Sequence, residues 1–210
     1  MKYFKTLPSI LQPDDSGNYI TSTNILTRGY LLPSLQNNVY LFYDYTLKDS
    51  DSPESISYKF YNDQYRYWMI LYANNIFDVF SEWPKTYTNF MLFLNDKYGS
   101  LASNNNLTVL EYTNQTIHHY EQKIITTGSN VTDKTTITIE IDSNTYNNFV
   151  TTTQTKQFPD GNTVTKQITV QPISIYQYEI DLNESKREIK LIKDVYAIDM
   201  EKQLTALMSR

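Results

Sequence analysis

Asp51–Pro84 reads DSPESISYKFYNDQYRYWMILYANNIFDVFSEWP, and its interpretation decides how the rest of the chain is read. Ser52 is a good N-cap, and Pro53 suits the first helical position, where a missing N–H costs nothing. Glu54 sits in the first turn, where the helix dipole favours negative charge. Ile56 and Phe60 are four apart and share a face, with Tyr61 beside them. Asn62-Asp63 breaks this helix, and Asp63 is placed to cap a second one over Gln64–Asn74. That helix is apolar on nearly all sides (Tyr65, Tyr67, Trp68, Met69, Ile70, Leu71, Tyr72), which predicts cover from several directions. Asn74-Asn75 is its stop, because Asn tolerates the left-handed conformation. Ile76–Asp78 and Trp83-Pro84 are expected to lead out as an extended exit. Upstream, Val39–Tyr45 predicts a strand rich in β-branched and aromatic residues.

Strand, acidic-Ser turn, helix ending in Tyr, helix containing Trp, Asn-Asn and exit follow an order that resembles a LysM module. The matching residues are Asp51-Ser52-Pro53, Ile56, Phe60-Tyr61, Trp68, Ile70, Asn74 and Ile76. The expected module core is Ile56, Phe60, Trp68, Ile70 and Leu71. The Gly usual after Tyr61 is replaced by Asn62-Asp63, and Asn tolerates similar turns.

The 210 residues suffice for one domain or two small ones, and a hydrophobic content of 40% can build a core. The 19 tyrosines combine apolar area with a hydroxyl that stays wet, which suits both strands and protein–protein surfaces. The net charge of −5 and the absence of a Lys/Arg block outside Lys186-Arg187, Lys190 and Lys193 argue against binding through nucleic-acid phosphates. The lack of cysteine excludes disulfides, thiolate metal sites and a Cys nucleophile. The start, MKYFKTLPSILQPDD, is broken by Lys5, Thr6, Pro8 and Ser9 and is not read as a signal peptide. No run reaches the ~18 apolar residues of a membrane span. The Asn-x-Ser/Thr triplets at Asn106, Asn114, Asn130 and Asn183 are read as chance.

In chain order, residues 1–35 form an arm with apolar Tyr3, Phe4, Leu7, Ile10 and Leu11, which lies on its own domain or on a neighbouring subunit. Asp14–Asn18 is a turn cluster, and Thr23 or Asn24 is placed to cap a short helix running to Arg28. Residues 36–100 hold the module and a following helix, Thr86–Tyr98. Gly99–Asn106 is small and polar and is taken as the boundary. Residues 104–178 are Thr- and Asn-rich with alternating Ile137, Ile139 and Ile141, which predicts an antiparallel β lobe. Within it, Phe158–Asn162 is a turn joining Val150–Gln157 to Val164–Val170 as a hairpin. Residues 179–210 hold a strand, Glu188–Ile192, and a helix capped by Asp194. Its stripe of Tyr196, Met200, Leu204, Leu207 and Met208 closes the core or meets a partner helix.

The Ser52–Pro84 run, followed at a distance by Tyr178-Glu179, Leu182–Ile192 and the terminal helix, resembles the LysM-carrying baseplate wedge protein of T-even-like contractile-tailed phages, wedge protein fifty-three. Tyr3–Pro8 and Asn24–Arg28 also resemble that family; residues 107–178 carry no likeness. The resemblance implies a non-enzymatic virion protein of the tail baseplate, assembled in the host cytoplasm and present in multiple copies in a symmetric ring. Its partners would be other baseplate wedge proteins of the same virion, with no nucleic acid, membrane or cofactor. It would join neighbouring wedges into the ring around the hub. The expected fold class is α+β: a LysM-like βααβ module with an N-terminal arm, an inserted antiparallel β lobe and a C-terminal strand and helix. The module alone also fits a peptidoglycan- or chitin-binding LysM protein.

Tyr3, Phe4, Tyr65, Trp83, Lys186 and Arg187 are the candidate partner contacts. Trp68 and Trp83 suit core or interface better than sugar stacking. His118 and His119 are adjacent and expected on opposite strand faces, so they do not share a metal or substrate. Asp49, Asp51 and Glu54 lack the Gly and the distal Glu of a calcium loop; capping explains Asp51 and Glu54 more simply.

Overall fold

The computed structural model describes residues 3–27, 29, 31, 33–129 and 134–208, without the side chains of Phe4, Pro33 and Ser34. In chain order the elements are β1 (Ser9–Pro13), β2 (Tyr19–Thr23), α1 (Pro33–Gln36), β3 (Phe42–Thr46), α2 (Pro53–Tyr61), α3 (Tyr67–Ala73), α4 (Val79–Glu82), α5 (Tyr87–Asn104), α6 (Val109–Gln115), β4 (Ile117–Thr127), β5 (Lys134–Ile141), α7 (Ser143–Asn147), β6 (Thr152–Gln157), β7 (Thr163–Ser174), α8 (Ile175–Glu184), β8 (Glu188–Ile192) and α9 (Asp194–Met208). The class is α+β. Two compact units form: Met1–Tyr87 with Asn183–Arg210, and Thr88–Leu182.

The first unit is built around an antiparallel pair, β3 with β8, in which Phe42 faces Ile192 and Thr46 faces Glu188. Helices α2 and α3 follow β3 directly, and α3 packs on β8. Ser52 and Ser55 form a reciprocal capping box with Pro53 just inside it, which fixes where α2 starts. Asn62, at φ 51°, ends it in the left-handed conformation. The Asp63 carboxylate then accepts the Tyr65 N–H and opens a 3-10 turn leading into α3. Asn75, at φ 54°, ends that helix. Ile56, Met69, Ile70 and Leu191 are fully buried, and Leu204 and Met208 of α9 join the same core.

Asn74 has a further task. Its amide nitrogen donates to the Lys190 carbonyl at 2.8 Å, and its oxygen accepts the Lys190 N–H at 2.7 Å. One side chain thus stands in for a neighbouring strand on β8. Asn183 does the same to Lys85, accepting its N–H at 2.7 Å and donating to its carbonyl at 3.1 Å.

Several expectations are corrected. Val39–Leu41 is a 3-10 turn rather than the start of a strand, because the Asn38 side chain accepts the Tyr40 N–H. The exit after Asn75 is not extended throughout. Asp78 caps α4, and the Glu82 carboxylate takes the N–H groups of Phe77 and Asp78. Tyr19–Thr23 is a strand, and the residues after it, 24–27, form a turn where a short helix capped by Thr23 or Asn24 was expected. The Asp14 carboxylate accepts the Ser16 and Asn18 N–H groups, and Gly17 sits at φ +81°, so β1 and β2 close into a hairpin. Arg28, at the end of the expected helix, lies outside the described residues.

In the second unit, Gly99–Asn106 is a helix end rather than a linker. Phe90, Leu94 and Ala102 of α5 are buried on one side of a helix that continues to Asn104. Asn106, at φ 54°, then ends it, with the Leu107 N–H donating to the Ala102 carbonyl and the Asn106 N–H to that of Ser103. A helix also stands where only strands were expected: Thr108 and Glu111 form the capping box of α6. The four strands form an antiparallel sheet in the order β5-β4-β7-β6. Its β6–β7 hairpin turns at Phe158–Asn162, with Gly161 at φ +85°.

Asn74→Ala leaves the Lys190 N–H and carbonyl without their protein partner, while a serine or alanine side chain cannot span both. The expected cost is about 1–3 kcal/mol, read as a lower urea midpoint at an unchanged slope. An unchanged midpoint would show that Asn74 does not hold β8.

Candidate functional site

Three clusters of polar side chains carry chemistry that a site could use. The first is the histidine pair. The β4–β7 register slips between Ile117 and His119, so that β4 carries an extra residue there. This corrects the expectation of opposite faces: the bulge turns both rings to one side. Their Nδ1 atoms lie 2.8 Å apart, the His118 ring stacks on Tyr178 at 3.8 Å, and His119 Nε2 lies 3.4 Å from a Glu121 oxygen. Among the described residues, no three His, Asp or Glu side chains converge to hold a metal.

The second cluster is Lys97, Tyr98 and Glu179. The Glu179 carboxylate is buried, and one oxygen accepts from Lys97 Nζ at 2.7 Å and from the Tyr98 hydroxyl at 2.6 Å. The hydrogen bond to Glu179 raises the pKa of Lys97, and burial followed by that same acceptor raises that of Tyr98. Both partners satisfy a buried charge, which is a structural task.

The third is the acidic group beside α2. Asp51 accepts from the Tyr45 hydroxyl at 2.8 Å and from the Lys48 N–H at 2.9 Å. It closes a turn, and Ser52 rather than Asp51 caps the helix. Asp49 accepts from Arg187 at 2.6 Å.

Arg187 and Lys186 are occupied within the first unit. The Arg187 guanidinium also donates to Glu184 at 2.6 Å and to the Leu47 carbonyl at 3.2 Å, while Lys186 Nζ donates to the Ser81 carbonyl at 2.8 Å. Trp83 is buried, and its Nε1 donates to the Asp51 carbonyl at 3.1 Å. A ring so enclosed offers little to a partner. Tyr3 is half-buried, with its ring 5.8 Å from that of Trp68 and its hydroxyl bonded to that of Tyr72. Tyr65 is 43% exposed. The Phe4 side chain lies outside the described residues. Ile56, Trp68 and Ile70 are buried, and Phe60 and Leu71 pack partly buried against them.

Two features were missed by sequence reasoning. Phe80, on α4, is 92% exposed, and Phe77 and Tyr40 are also exposed. The local signal was Asp78, a helix cap within a run read as extended. The other feature is an apolar hollow of about 840 Å³ lined by Phe42, Trp68, Tyr72, Met200, Leu204 and Met208. Trp68 Nε1 is buried beside it with no hydrogen-bond partner among the described residues.

On this surface Phe80, Phe77 and Tyr40 are displayed, while Arg187 and Lys186 bond within the chain. Residues 19–208 match the phage family described as Base plate wedge protein 53. The chain belongs to that family. The match runs through 107–178, where the sequence carried no recognised likeness, and it leaves out Tyr3–Pro8, where a likeness was read. No curated protein matches the chain. Wedge-family membership supports a structural role in the virion baseplate, in association with other baseplate proteins.

The raised pKa values of Lys97 and Tyr98 fix a pH dependence. Both groups hold their protons more firmly when folded, so the protonated cluster favours folding below their ordinary ranges, and this contribution is lost as pH rises through the folded values. The urea midpoint should therefore fall above about pH 10–10.5. The double variant Lys97→Met, Tyr98→Phe should have a lower midpoint at pH 8 and a weaker alkaline fall. An identical fall in the variant would remove the cluster from the explanation.

Proposed function

We propose that this chain joins neighbouring wedges into the ring around the hub of a contractile phage tail, through protein–protein contacts made by several copies in a symmetric ring. The observation that carries this reading is the division of labour on the first unit. Arg187, Lys186, Asn74 and Asn183 are spent on backbone and side-chain partners of their own chain. Phe80 and Tyr40 are instead exposed on short, capped elements, and Phe77 is exposed just before the cap of α4. Rigid aromatic anchors on a preorganised frame are what a protein interface requires.

In this reading β3, α2, α3 and β8 form a LysM-like βααβ module whose last strand arrives after the whole second unit has been inserted. The module acts as a protein clamp, and the work is non-catalytic. Both tryptophans are buried, which leaves no tryptophan face for stacking on a sugar. The chain's net charge of −5 and its internally paired Arg187 and Lys186 fit protein partners better than nucleic acid. Among the described residues, no helix is long and apolar enough to cross a membrane. The place of action is the tail baseplate, with assembly in the host cytoplasm.

The purified chain mixed with the other wedge components should co-sediment with them and convert separate wedges into rings. No incorporation and no change in ring formation would sink the reading. Phe80→Ala should weaken incorporation by about 2 kcal/mol or more while leaving the thermal midpoint unchanged, because the ring is already exposed in the free chain.

A further inference from the structure

Two strand edges of the first unit are open, and they match. In the β3–β8 pair the Leu47 N–H donates to the Arg187 carbonyl and the Lys193 N–H to the Leu41 carbonyl. Antiparallel alternation then turns the backbone groups of Tyr43 and Tyr45 toward β8, and those of Phe42, Asp44 and Thr46 to the outer edge. The outer edge of β8 is closed, at Lys190 by the Asn74 side chain and at Ile192 by the Tyr61 hydroxyl. That of β3 is not. The Phe42 N–H donates to the Val39 carbonyl, but among the described residues nothing bonds the outward N–H and carbonyl of Asp44 or of Thr46.

The other open edge belongs to the β1–β2 hairpin. Leu7 is buried at its base, yet both strands are exposed along their length apart from half-buried Ser22. The Asp14 N–H donates to the Asn18 carbonyl and the Asn24 N–H to that of Pro8. The same alternation therefore sends the groups of Ser9, Leu11 and Pro13 outward on β1, and those of Tyr19, Thr21 and Thr23 outward on β2. Pro13 has no N–H, which blunts the β1 edge. The β2 edge, YITST, carries neither charge nor proline, and among the described residues nothing bonds its outward groups.

We infer that β2 of one copy adds to the β3 edge of the next copy, giving a four-stranded sheet in the order β1-β2-β3-β8 across two chains. Both edges are five residues long. The hairpin, a two-stranded sheet exposed on both faces, is marginal by itself, and it does not pair with β3 of its own chain. In the antiparallel register of full overlap, Thr21 falls opposite Asp44, so the outward groups of both strands bond one another. Ser22 then falls opposite Tyr43, and Ile20 opposite Tyr45. This places Ile20, 52% exposed, on the face that carries buried Ile189 and Leu191 and half-exposed Tyr43. Each chain has one such strand to give and one such edge to receive. The contact is therefore heterologous and runs head to tail, the kind that closes into a ring. It rests on the reading of several copies in a symmetric ring and names the contact between them.

The chain has no cysteine, so an introduced disulfide reports the register. Ser22→Cys with Tyr43→Cys sets two thiols at a non-hydrogen-bonded antiparallel pair, with Cα atoms about 4.5 Å apart and within disulfide reach. The full chain alone, at about 100 μM under mild oxidation, should give a ladder of disulfide-linked dimers, trimers and larger species on non-reducing gels. Thr21→Pro in that background removes one outward N–H without touching the β1–β2 ladder, and should cut the linked species at least tenfold with circular dichroism unchanged. Leu11→Pro makes the same lesion on the hairpin's other edge and should leave the ladder of species as it was. A chain that stays monomeric overturns the inference, as does a disulfide closed within one chain or a ladder that stops at the dimer. So does a ladder that Thr21→Pro leaves intact or that Leu11→Pro removes. No wedge component is present in this assay, so its failure is separate from failure of the chain to enter wedges and promote rings.

Discussion

The pairing of β3 with β8 is the constraint on which the first unit depends. Two strands of five residues do not persist alone in water. This pair persists because everything around it is tied to it. The ladder is extended at both ends, by the Leu47 N–H to the Arg187 carbonyl and the Lys193 N–H to the Leu41 carbonyl. The Tyr61 hydroxyl donates to the Ile192 carbonyl at 2.7 Å, and burial holds that hydroxyl protonated far above its ordinary range. Arg66 reaches Glu201 on α9 at 2.9 Å, closing the helix over the module. Remove β8, and Leu191, Ile189 and Ile192 leave the core together. The first helices then have nothing to cover them.

That dependence has a kinetic side. β3 and β8 are separated in sequence by the entire second unit, so the loop-closure cost of bringing them together is met late. Caps at Ser52, Asp63 and Asp78 need no such closure and are available locally. The first half of the unit is thus predisposed by its own sequence and completed only by its second half.

The two units differ in how their apolar surface is satisfied. The first buries both tryptophans and a full set of Ile, Leu and Met side chains. The sheet of the second rests on ladder hydrogen bonds and cross-strand pairs, with its isoleucines on a face of intermediate to high exposure. Alternation of Ile and Thr is a sound strand signal, since it needs only the period of two. It does not say whether the apolar face will be covered from within the chain; among the described residues Ile137 stays 56% and Ile139 46% exposed.

Legibility in the sequence follows the range of the interaction responsible. Capping at Ser52 and Asp63, the left-handed Asn62 and Asn75, the turn at Phe158–Asn162 and the strand at Glu188–Ile192 were readable because each rests on residues within a few positions. The same kind of signal lay unread at Thr108–Glu111 and at Asp78. The histidine pair was misjudged because a bulge, set by pairing with a distant strand, overrides strict alternation. Arg187, Lys186 and Trp83 looked available for partners because sequence shows a side chain's chemistry without its neighbours. By itself the sequence determined the mixed α and β class, the starts and stops of α2 and β8, and the likeness to a baseplate wedge family. Tertiary structure decided that β8 completes the first unit, that Asn74 guards its edge, and which aromatics stay outside. These depend on contacts between residues a hundred or more positions apart, which local propensity and periodicity do not encode.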